Sequence, residues 1–136
     1  MRIAALIVVV ASLAGPRLAG AAERVLSVEA EVVGPKDKSL GKAQILVAAR
    51  GTERAKGSFG SLTLVIDADV GPTFDKECNL VTITARLEDS EGVGPDKKRE
   101  FKATTIHACG KGTPPATLPG GGANRVMVTI RPAPAP

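Results

Sequence analysis

Tryptophan and tyrosine are absent and phenylalanine occurs three times, so aromatics make up 2% of this 136-residue chain. Base-stacking platforms and sugar-stacking walls therefore have almost nothing to be built from. The same scarcity argues against a compact, hot-spot-rich protein interface. Histidine occurs once, at His107. A blue-copper centre needs two histidines, a cysteine and a methionine, and a structural zinc site needs four ligands, so both classes fall on ligand count. There is no G-x-S-x-G motif: Gly57-Ser58-Phe59-Gly60-Ser61 has the wrong spacing for a nucleophile elbow. Gly110-Lys111-Gly112-Thr113 lacks the upstream glycine and the Lys-Ser/Thr pair of a phosphate loop. Apolar runs are short, and none approaches the roughly 20 residues that span a bilayer.

One apolar run has a different meaning. Arg2 precedes the segment from Ile3 to Leu13, and Ala19-Gly20-Ala21 follows it as a small-residue cleavage sequence. This is the pattern of a signal peptide over residues 1–21, expected to be helical and cut at Ala21–Ala22 so that the mature chain begins at Ala22 or Glu23; a cut after Ala14 is the alternative and leaves a shorter apolar region. The expected protein is exported, to the periplasm or the extracellular space, with no integral membrane segment after cleavage. Arg2 and Arg17 leave with the leader, so 18 − 2 = 16 basic residues remain against 14 acidic ones, a net charge of +2. A chain so weakly charged and so poor in aromatics excludes nucleic acid as a partner.

Periodicity supplies the fold. Leu26, Val28, Ala30 and Val32 alternate with polar residues; so do Ala43, Ile45, Val47 and Ala49 with their neighbours, and Leu62, Leu64, Ile66, Ala68 and Val70 with theirs. Val81, Ile83, Ala85 and Leu87 repeat the pattern, a weaker version runs from Phe101 to His107, and Val126, Val128 and Ile130 close the series. Period two is the signature of half-buried strands. Residues 34–41 and 51–57 read as turns, 110–124 as a long irregular loop, and 132–136 as a disordered Pro/Ala tail. Residues 22–131 are thus predicted to form one antiparallel β-sandwich of immunoglobulin-like architecture, with a small closed barrel as the alternative.

The two cysteines, Cys78 and Cys109, bracket the hairpin of the fourth and fifth strands. In an exported chain they are expected to form a disulfide. With Gly92, Val93 and Gly94 at the hairpin tip, the register sets Val81 against His107, Ala85 against Ala103, and Leu87 against Phe101. Cys78 then faces Gly110, one residue out, which calls either for a bulge near Cys109 or for the cysteines to meet across the loosely paired ends of two different strands. This register places His107 on the inward face, as a packed residue.

Candidate sites are few. Asp67 and Asp69 resemble the opening of a calcium loop, with Asp75 and Glu77 further on. Gly71, Pro72 and Cys78 stand where that motif needs a ligand, a glycine and a bidentate glutamate. Lys97-Lys98-Arg99 lies between Asp96 and Glu100, the composition of a solvated hairpin tip. The function expected from these residues is non-enzymatic: binding or structural, through a strand edge or the 110–124 loop, with a protein partner or self-association. A cation-binding accessory domain using Asp67, Asp69, Asp75 and Glu77, with calcium as its ion, is one alternative; a secreted hydrolase using His107 is another.

Overall fold

The computed structural model describes residues 7–11, 24–119 and 124–133. The Ala21–Ala22 cleavage position, the Gly120–Gly122 run and the end of the Pro/Ala tail lie outside them. The described chain is an antiparallel β-sandwich. Strand β1 is Ile7–Ala11, β2 Val25–Val33, β3 Ser39–Ala48, β4 Thr52–Phe59, β5 Leu62–Val70, β6 Cys78–Asp89, β7 Lys98–Cys109, β8 Ala116–Thr117 and β9 Arg125–Pro132. One sheet runs β1-β3-β2-β9-β8 and the other runs β4-β5-β6-β7. The sheets remain separate layers, so the closed-barrel alternative does not hold.

The core is aliphatic, as the composition requires. Leu26, Val28, Ile45 and Ile130 of the first sheet and Leu64, Ile66, Val81 and Ile83 of the second are all at most 0% exposed. Each belongs to the apolar phase of its strand, so the period-two pattern carries directly into packing between two sheet faces.

Four local features depart from the sequence reading. Residues 51–57, read as a turn, open strand β4, which pairs with β5 from Thr52↔Asp69 to Phe59↔Leu62. Its buried inward positions are Ala55 and Gly57, with exposed Lys56 between them. Small inward residues carry little hydrophobic signal, and glycine weakens strand propensity. The 110–124 loop, read as irregular, contains β8 paired to β9 and buries Leu118 at 1% exposure. The Pro/Ala tail begins late: Pro132 pairs with Leu26, and the Ala133 N–H donates to the Val25 carbonyl at 2.8 Å. Finally, the described part of the expected leader helix is extended, since β1 pairs parallel to β3 from Ile7↔Lys42 to Ala11↔Leu46.

Glycine has one packing role that a measurement can check. The Phe59 ring crosses from β4 onto β3, and a Cβ at Gly41 would lie 2.3 Å from its Cγ and Cδ1. At Gly57 a Cβ would lie 2.7 Å from Cζ of the same ring. Two glycines thus form the slot for one of three phenylalanines. Gly41→Val is expected to lower stability by roughly 1–3 kcal/mol through overpacking. Adding Phe59→Ala should recover part of that loss in urea denaturation, because the ring is the obstacle.

Candidate functional site

The register of the β6–β7 hairpin decides what its outer face displays. Cys78 pairs directly with Cys109 and Ile83 with Thr104, but Ala85 pairs with Phe101. Lys102 and Ala103 therefore share the place opposite Thr84, an extra residue in the middle of β7. The bulge is there and not near Cys109, so the expected pairs Val81–His107, Ala85–Ala103 and Leu87–Phe101 do not form. Phe101 is buried, Lys102 and Ala103 are both exposed, and beyond them the faces have exchanged. Ala108 now points inward, and His107 is exposed on the outer face instead of packed within. An inserted residue in one strand reverses every side chain that follows it.

That reversal brings Cys78, Cys109 and His107 onto one patch. The cysteines are joined by a disulfide across adjacent strands, with Cα atoms 4.1 Å apart. Their sulfurs and a ring nitrogen of His107 lie within 4.8 Å of one another. Among the described residues no other group of three or more His, Cys, Asp or Glu side chains comes together in this way. Phe74 stacks on His107 with ring centroids 5.4 Å apart and an interplanar angle of 16°. It is placed there by paired backbone bonds between Phe74 and Cys78, at 2.8 and 2.9 Å. Leu80, the cross-strand partner of His107, is 48% exposed beside it.

Behind the cystine, on the inward side, lies a polar anchor that the sequence reading missed. The Arg24 guanidinium donates to Asn79 Oδ1 at 3.1 Å, to the Gly110 carbonyl at 2.7 Å and to the Ala108 carbonyl at 3.1 Å. Asn79 is 0% exposed and is the one buried polar side chain among the described residues. Its amide donates to the Gly71 carbonyl at 3.1 Å and to Thr73 Oγ1 at 3.0 Å. Asn79 was visible as a polar residue in phase with Val81 and Ile83, a position where burial obliges a partner. Nothing around Arg24 marks it as that partner.

The carboxylates expected to hold calcium are dispersed. Asp67 faces Arg54 across β4 and β5 and accepts from it twice, at 2.7 and 3.2 Å. The hydrogen bond to Asp67, and then its charge, hold the Arg54 pKa above its ordinary value. Asp69 accepts from its partner Thr52 at 3.1 Å. Asp75 and Glu77 are exposed in the turn before β6, where Asp75 has a φ of 48°. No three of the four converge among the described residues. The basic triplet lies at the start of β7, where Lys98 pairs with Glu88. Lys97 and Lys98 border an open groove of about 420 Å³ shared with Asp89 and Ser90. Both signs of charge line that groove, which gives it no preference for an anion.

The last feature is an edge. Among the described residues, strand β3 has β2 on one side and on the other only the five residues of β1, in parallel register. Backbone donors and acceptors along Lys42–Leu46 are thereby matched to an extended apolar segment, Ile7-Val8-Val9-Val10-Ala11. No described helix is long and apolar enough to cross a membrane. No known protein family, curated protein or solved structure matches this chain.

Proposed function

We propose that the protein is an exported, non-enzymatic β-sandwich that captures an extended apolar segment along the free side of β3. The observation that carries this reading is the parallel seating of Ile7–Ala11 on β3, within the very run that has the composition of a leader. Cleavage between Ala21 and Ala22 would vacate that edge. The mature sandwich would then offer a row of unpaired backbone groups, a template for strand addition. Recognition by backbone hydrogen bonds suits a chain with 2% aromatics, because it does not depend on aromatic anchors. The disulfide is compatible with an oxidising compartment.

Removal of residues 1–21 leaves Arg24 in the chain, so processing does not disturb the polar anchor. The test uses the processed protein, its start verified by intact mass. A labelled peptide of residues Ile3 to Leu13, flanked by lysines for solubility, should bind it saturably in an anisotropy titration. A peptide with proline at both Val8 and Val9 should bind at least about tenfold more weakly, because one of any two successive residues donates to the neighbouring strand and proline cannot. Absence of saturable binding, or equal binding of the two peptides, would rule out the edge as a strand acceptor.

A further inference from the structure

We infer that Cys78, Cys109 and His107 form a reduction-gated binding site for Zn2+. The donor atoms already lie within 4.8 Å of one another, on one face of one hairpin. All three residues are partly or fully open to solvent, so an ion reaches them without unfolding the chain. The imidazole is held by its stack on Phe74, which spares part of the entropy of orienting it.

The chemistry of the set selects the ion. Two thiolates and one neutral imidazole are soft to borderline donors, which disfavours calcium and magnesium and suits zinc. Their two negative charges balance Zn2+. In a tetrahedral site with Zn–S near 2.3 Å the sulfurs stand about 3.7 Å apart, a separation that neighbouring strands provide once the S–S bond is gone. Three protein ligands leave the fourth position to water.

The gate is thiol–disulfide exchange. Two equivalents of a small-molecule thiol reduce the bond: protein S–S plus two R–SH gives two protein thiols and R–S–S–R. Binding of Zn2+ then releases two protons as both thiols become thiolates. Reoxidation by a disulfide reverses the exchange and expels the ion. The bulge at Lys102–Ala103 is what makes the site, since it turns His107 to the face that bears the cysteines. This site lies on the β6–β7 hairpin of the second sheet, separate from the β3 edge, and stands whether or not that edge binds a strand.

The test is cobalt substitution on the processed protein. After reduction with a phosphine under anaerobic conditions, one equivalent of Co2+ should give thiolate-to-metal charge-transfer bands and the intense d–d bands of a tetrahedral site. Zn2+ should displace it at one ion per chain, and the oxidised protein should give no bands. His107→Ala should weaken Zn2+ binding by at least the roughly 10–100-fold that loss of even an outer-shell partner costs. Because reduction could unfold the chain, the melting temperature of the reduced protein is measured in parallel with and without Zn2+. It should rise with the ion in the wild type and not in His107→Ala. Absence of bands together with an unchanged melting temperature overturns the site, and so does zinc affinity that His107→Ala leaves unaltered.

Discussion

Arg24→Ala is expected to lower the stability of the fold by about 3 kcal/mol, given that a hydrogen bond to a charged group contributes about 1.5–3 kcal/mol and an orphaned buried acceptor costs about 1–3. The substitution removes three donors at once. It leaves Asn79 Oδ1 without its partner at a position that is 0% exposed, and it frees the carbonyls of Ala108 and Gly110. These losses share one environment, so they do not simply add. Arg24→Lys should recover only a minority of the effect, because a single ammonium cannot reproduce the planar fork that serves three acceptors. Urea denaturation checks both: the midpoint should fall with the slope unchanged. A midpoint for Arg24→Ala near that of the wild type would show that water replaces the guanidinium at little cost.

The second large effect concerns the cystine. Replacing Cys78 and Cys109 together by alanine should cost about 3.5 kcal/mol in the chain-entropy account of a loop of this length, for a sequence separation of 31. Arg24 and the cystine close the same end of the sandwich, since the guanidinium binds the carbonyls on either side of Cys109. The triple variant should therefore show an interaction energy of about 0.5–3 kcal/mol relative to the sum. Set against a typical domain stability of about 5–15 kcal/mol, that variant should be close to unfolded at room temperature. Strict additivity in denaturation would mean that the two devices act on separate parts of the structure.

The fold was legible wherever one face of a strand is aliphatic. Strands β2, β3, β5, β6 and β9 were all readable because Val, Ile and Leu occupy their inward positions, and hydrophobic alternation reports burial directly. Strand β4 was hidden because its buried inward positions are Ala55 and Gly57, and Gly57 is small because it leaves room for Phe59. The pairing of Cys78 with Cys109 was legible from the count of cysteines, but their register was not. A bulge leaves no mark in composition, and Lys102-Ala103 reads as ordinary alternation until both side chains are seen on one surface. His107 was consequently assigned to the wrong face. Asp67 and Asp69 were correctly read as facing away from the core. Their partners, Arg54 and Thr52, could be identified only once β4 was known to be a strand.

The pairing of β2 with β9 also sets a clock on synthesis. Val28 lies beside Ile130, so the centre of the first sheet joins segments made about 100 residues apart. At about 5–20 residues per second, the apolar row of β2 waits roughly 5–20 s for its neighbour to be made. The β4–β7 meander, whose strands are consecutive, has no such wait and can pair as it emerges. The sandwich therefore closes last at β9, in its first sheet. Until then a paired meander stands beside an unfinished first sheet, and the apolar rows of both layers must be shielded from other chains.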